Sequence, residues 1–225
     1  MRVPKIVNYD NSTNKITVDV DCDYFNRYFY NLDYSKDKDK FIKTVEHIIR
    51  SSLEYRDFIN YLKTAMGMNF CTFFNKVSKE MYPGGNKIGI DIHHEPFTLY
   101  DIVAIILTNR QLESNKERID LLDIAEEVMS VHYEGIVGLV PLSNTVHELV
   151  HSGKIFIPLQ IIDKGFNTFF LRYEKAIYAL DGLKEILELK LNTSKQYENN
   201  IKEYCSILEK KYIYVNNENL LDKLE

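Results

Sequence analysis

Four of the six histidines in this 225-residue chain fall in two short stretches, and any fold has to account for how those stretches meet. The first is Asp91-Ile92-His93-His94-Glu95-Pro96. The second is Ser143-Asn144-Thr145-Val146-His147-Glu148-Leu149-Val150-His151-Ser152-Gly153-Lys154. In the second, His147 and His151 stand at i and i+4, so a helix carries them on one face, a turn apart. Thr145 is the expected N-cap, Glu148 completes a capping box, and Gly153 is the expected residue just past the end. Two imidazoles presented from one side suit a transition metal such as zinc. The first stretch reads as a strand, because Ile88, Ile90 and Ile92 alternate with Gly89, Asp91 and His93 until Pro96 stops the run. On an extended backbone His93 and His94 point to opposite faces. One can reach a metal while the other is free to act as a base near neutral pH.

A strand ending in His-His, followed by a short helix with His-x-x-x-His, resembles the HNH nucleases, closest to the arrangement of the colicin DNases. The flanks Gly138-Leu139-Val140-Pro141-Leu142 and His151-Ser152-Gly153-Lys154 extend the resemblance over roughly residues 86–155. It implies an α+β fold with a ββα-metal finger-like core, made of a β-hairpin plus the short His-bearing helix. It implies a metal-dependent endonuclease that hydrolyses phosphodiester bonds, with DNA as its expected partner. His94 matches the general base, and His93, His147 and His151 match the ligands of one divalent ion (zinc, magnesium, manganese or nickel). That ion would polarise the scissile phosphate. Lys154 is the expected phosphate contact, with Asp91 and Asn144 as accessory residues. Gly138 stands where the family has an asparagine that orients the base. Ser143 and Val146 stand where it often has cysteines, so no second structural zinc site is expected.

A second reading is open beside the first. A catalytically degenerate HNH fold would serve as a structural or accessory subunit of a phage or replication assembly. Charge favours it, because residues 91–165 carry 5 basic against 12 acidic side chains, whereas nucleic acid is bound by neutralising phosphates with Lys and Arg. No P-loop, Rossmann fingerprint or His-Glu-x-x-His motif points to other chemistry.

The rest of the chain supplies three expected segments. Residues 1–67 form an N-terminal α/β elaboration, with strands over 3–8 and 15–20 joined by the polar turn 10–14, and a helix over about 38–65. The aromatics Tyr24, Phe25, Tyr28, Phe29, Tyr30 and Tyr34 read as core packing rather than a base-stacking surface. Residues 68–165 hold the site. Here a strand over 68–74 is expected to pair with 87–93 across the Pro83-Gly84-Gly85-Asn86 turn. Helices over about 98–110, capped by Thr98 with Asp101, and 115–132 form an insertion between the two histidine stretches. Residues 166–225 form a helical hairpin, over 167–191 and 194–213, that offers a surface to a protein partner.

An apolar content of 45% is ample for a core. No run is long enough to span a membrane, and the N-terminus lacks the apolar core of a signal peptide. The three cysteines are widely spaced, which suits a reducing, cytoplasmic setting. The wealth of Lys, Asn, Ile and Tyr and the absence of Trp are the bias of an AT-rich genome, for example that of a low-GC bacterium or of a virus infecting one.

Overall fold

The computed structural model describes residues 5–10, 15–19, 30–74, 89–113, 119–162, 165–209 and 211. The chain divides into two compact units, Met1–Phe41 and Ile42–Glu225. In the first, β1 (Lys5–Asp10) and β2 (Lys15–Asp19) pair antiparallel, from Lys5 opposite Asp19 to Asp10 opposite Lys15. The turn expected between them lies outside the described residues at 11–14, as do Tyr24, Phe25, Tyr28 and Phe29. Tyr30 packs edge-on against Phe41, with ring centroids 5.3 Å apart.

The single helix expected over 38–65 is two helices, α1 (Ser35–Ser51) and α2 (Leu53–Thr64). A serine makes the break. Ser52 leaves helical geometry, its hydroxyl donates back to the Ile49 carbonyl at 2.7 Å, and it accepts from the Tyr55 amide at 3.0 Å. One side chain thus ends the first helix and caps the second.

The second unit is built around α3 (Leu99–Glu113), whose residues Ile102 to Thr108 are all buried. A helix that is apolar all round belongs in the middle of a core. Packed against it are α4 (Leu121–Tyr133) and α6 (Phe166–Ala179). Thr98 and Asp101 cap α3 as its sequence suggests, with Thr98 Oγ1 donating to Asp101 Oδ2 at 2.7 Å.

A two-stranded antiparallel sheet lies beside these helices. It pairs β3 (Ile90–His94) with β4 (Leu139–Ser143), with Ile92 opposite Pro141 and His93 opposite Val140. The expected partner of β3 was 68–74, and that pairing is corrected. Thr72 instead donates from its amide and its hydroxyl to the Pro141 carbonyl, both at 2.9 Å, so this segment flanks β4. The physical reason is burial. Leu139, Val140 and Leu142 form an apolar run that is buried beside β3, and Cys71, Phe73 and Phe74 pack into the same core as Val140 and Leu142. The Pro83–Asn86 turn lies outside the described residues.

The next element, α5 (Asn144–His151), follows β4 without a loop and buries Val146 in that core. The expected C-terminal hairpin is three helices, α6, α7 (Leu183–Lys195) and α8 (Ile201–Glu209). Gly182, at φ +84°, lets the chain turn between α6 and α7.

The chain is therefore α+β and mostly helical. The β3–β4–α5 order places a helix after an antiparallel pair, but the strands are separated by two helices of the main core rather than by a short turn. Among the described residues no helix is long and apolar enough to cross a membrane.

Candidate metal centre

The local sequence of α5 decides where its histidines point. The helix begins two residues earlier than its capping-box signal suggests. Ser143 is the N-cap, with its side chain accepting from the Val146 amide. The end is as the sequence indicates. Gly153 sits at φ +70°, its amide donates to the Val150 carbonyl, and the Lys154 amide donates to Leu149, which together satisfy the last carbonyls. Between these ends, His147 and His151 share a face and approach each other at 3.0 Å between their Nε2 atoms.

On β3, His93 and His94 point to opposite sides. His93 meets the α5 pair, with ring centroids 5.1 Å from His147 and 5.3 Å from His151. One ring nitrogen from each of the three histidines lies within 4.8 Å of the others. The cluster grades outward, with His93 buried, His147 half-buried and His151 exposed, so it opens to solvent on the His151 side.

Acidic and amide groups orient these rings. The Nδ1 of His147 lies 3.2 Å from Asp91 Oδ2. A carboxylate only accepts, so Nδ1 carries the proton and the Nε2 lone pair faces His151. With its amide nitrogen turned toward the acceptors, Asn144 donates to Asp91 Oδ2 at 3.3 Å and to the Gly89 carbonyl at 2.9 Å, which steadies the carboxylate. Burial holds the His147 imidazole below its ordinary pKa, and positive charge on His93 or His151 would lower it further, while Asp91 opposes both. The balance favours the neutral ring that a metal requires.

A second acidic residue lies deeper. Glu95 is buried, and its Oε2 lies 3.5 Å from His93 Nε2. Its Oε1 accepts from Lys190 Nζ on α7, which also donates to the Pro96 carbonyl at 3.1 Å. The Glu95 backbone is pinned too, with its amide donating to the Gly138 carbonyl at 3.0 Å. Neither partner was legible in the sequence. Glu95 carries no motif of its own, and Lys190 lies far along the chain on an ordinary amphipathic helix.

His94 occupies the other side of β3 and is fully enclosed. Its Nε2 lies 2.9 Å from Nε2 of His132, on α4. His132 Nδ1 lies 2.6 Å from the Val128 carbonyl, so that nitrogen carries a proton and His132 Nε2 accepts from His94. Tyr55 and Phe58 stand edge-on to the His132 ring. His132 is thus the partner that ties β3 to the helical core. Burial drives the His94 pKa well below its ordinary value, with His132, Arg50 and His93 adding to the shift. Burial takes His132 down to about 4, partly offset by the Val128 bond.

This pair makes stability pH-dependent. Well above pH 6.5, His132 is neutral whether the chain is folded or not. As the pH falls toward 4, the unfolded chain binds protons that the folded chain refuses, so stability is lost in that window. For the His132 shift alone the loss is on the order of 3 kcal/mol. Thermal melts of chelator-treated protein should show the melting temperature falling from pH 7 to pH 4.5, with a shallower fall in His132→Gln. An identical slope in that variant would show that His132 does not carry the effect.

The remaining sequence candidates are placed as follows. Lys154 is exposed in the turn after α5, and Gly138 packs against the Glu95 backbone, where no side chain fits.

Residues 2–221 match the family model described as Bacteriophage G278-like virion protein. The chain belongs to that family. No curated protein and no solved structure matches it. The family covers almost the whole chain, including both histidine stretches and the C-terminal helices, and it overturns the nuclease reading. The expected phosphodiester hydrolysis falls with it, and the family match gives no support to a DNA partner. A general-base role for His94 has no reaction left to serve, and the ring is sealed against His132. Of the two sources that the compositional bias left open, the family match supports the phage, and it points to partners among the proteins of a phage particle.

Proposed function

We propose that this chain is a structural component of a phage particle, working through protein contacts, and that its three-histidine cluster holds a transition-metal ion for stability. The observation that carries the first part is the family match over residues 2–221. The acidic balance around the cluster supports it, since a surface with 12 acidic and 5 basic residues over 91–165 repels phosphate backbones.

The donor set supports the second part. Three imidazole nitrogens suit zinc, or nickel, far better than magnesium, which prefers oxygen. Zinc–nitrogen bonds are about 2.0–2.1 Å, so tetrahedral ligand atoms sit roughly 3.4 Å apart. The His147–His151 pair is already near that separation at 3.0 Å, and the full set needs only modest side-chain movement from within 4.8 Å. His93, His147 and His151 would hold the ion, and with Asp91 behind His147 they would join β3 to α5. A fourth position remains for water or a partner's side chain.

The test of the particle assignment is an immunoblot of gradient-purified phage after a high-salt wash. The chain should co-sediment with the particle at a fixed ratio to a capsid or tail protein. Recovery only in the unassembled lysate fraction would overturn the assignment.

A further inference from the structure

We propose that metal loading of the three-histidine cluster is coupled to the docking of helix α7, through the chain of contacts His93–Glu95–Lys190. The inference rests on the cluster being a metal site, and it assigns Glu95 and Lys190 as positioning residues for that site.

Glu95 is a buried polar side chain, and such groups are held by hydrogen-bond or charge partners. Its two oxygens face two different structures. Oε2 faces His93 on the metal side, and Oε1 is taken by Lys190 from α7. Lys190 spends a second donor on the Pro96 carbonyl, which fixes it over the segment that follows β3. A carboxylate behind a metal-binding histidine sets the ring's orientation and raises its basicity. Here that carboxylate is itself held in place by a side chain from α7, a helix some ninety residues away in sequence.

The rest of the α7 contact is modest. Leu183 and Leu187 are its buried apolar residues, and Ser194 accepts from the Leu159 amide at 3.0 Å. The ion pair to Glu95 is therefore a substantial part of what seats the middle of the helix. If α7 lifts, Glu95 loses its counter-charge and His93 loses its brace. If a metal fixes His93, Glu95 is fixed in turn and presents Oε1 to Lys190. Coupling of this kind is reciprocal, so each event favours the other by the same factor.

The experiment uses the full chain, stripped with chelator and titrated with zinc against a competing indicator. Hydrogen exchange of the α7 amides is followed with and without zinc. Zinc should slow α7 exchange in the wild type, and Lys190→Met should weaken zinc binding about 10- to 100-fold, the range usual for such outer partners. Because Lys190→Met strands a buried carboxylate, the double variant Glu95→Gln/Lys190→Met serves as a second probe. It removes both charges together and should bind zinc more weakly, with zinc no longer altering α7 exchange. Zinc binding with unchanged α7 exchange in the wild type, or equal affinity in all three proteins, overturns the coupling and leaves the metal site standing. A wild type that binds no zinc overturns the metal site and the coupling with it.

Discussion

Replacing Gly138 by asparagine is expected to destabilise the protein by about 3 kcal/mol or more, in the upper range for overpacking a core. A Cβ at this position would lie 1.9 Å from the Glu95 carbonyl oxygen and 2.8 Å from Ile162 Cγ2. The first contact is with backbone and cannot be relieved by a rotamer change. The backbone cannot easily give way, because the Glu95 amide is bonded to the Gly138 carbonyl and its side chain to Lys190. A loss of that size lowers the melting temperature by roughly 6–12 °C in a chain this long. Gly138→Ala shares the clashing atom and should show most of the effect. A melting temperature within about 2 °C of the wild type in both variants would mean the β3–β4 end is looser than this packing implies. The substitution also bears on the nuclease reading. The position where an HNH site carries its asparagine is here a point of backbone contact with no room for a side chain.

Removing the proposed metal should have an effect of comparable size. A ligand present at a hundred times its dissociation constant stabilises the folded chain by about 2.7 kcal/mol. Chelation should therefore lower the melting temperature by roughly 5–10 °C, reversibly on adding zinc. His151→Ala is the informative control, because this histidine is exposed and its loss opens no cavity. That variant should melt near the stripped wild type and gain little from zinc. An equal zinc-dependent gain in wild type and His151→Ala would place the stabilising ion elsewhere.

Much of this architecture was legible in the sequence because it depends on local signals. The alternation through Ile90 and Ile92, the Thr98–Asp101 cap and the Gly153 terminus each act within a few residues. The split at Ser52 was missed because apolar spacing runs on through both helices, while the break is made by one hydroxyl. The partner of β3 was missed because a strong turn signal at 83–86 suggested a local hairpin, whereas the pairing is set by burial of a distant apolar run. At the site, the i, i+4 spacing put His147 and His151 together on one face. Sequence spacing could not say that His94 would be sealed by His132, nor that Glu95 would be shared with Lys190, since both contacts depend on how helices pack on the sheet. Function was the least legible. Histidines in this order carried the resemblance to a nuclease, while the family that spans the chain is one of virion proteins.

The most direct test of the metal centre is the metal content of the full chain, purified without chelator or a histidine tag and weighed by native mass spectrometry beside a His147→Ala/His151→Ala variant. One zinc or nickel ion per wild-type chain is expected and none in the variant, with both proteins folded. Wild-type protein free of metal, even after dialysis against zinc, would contradict the metal centre and leave the three imidazoles as a hydrogen-bonded cluster that braces β3 against α5.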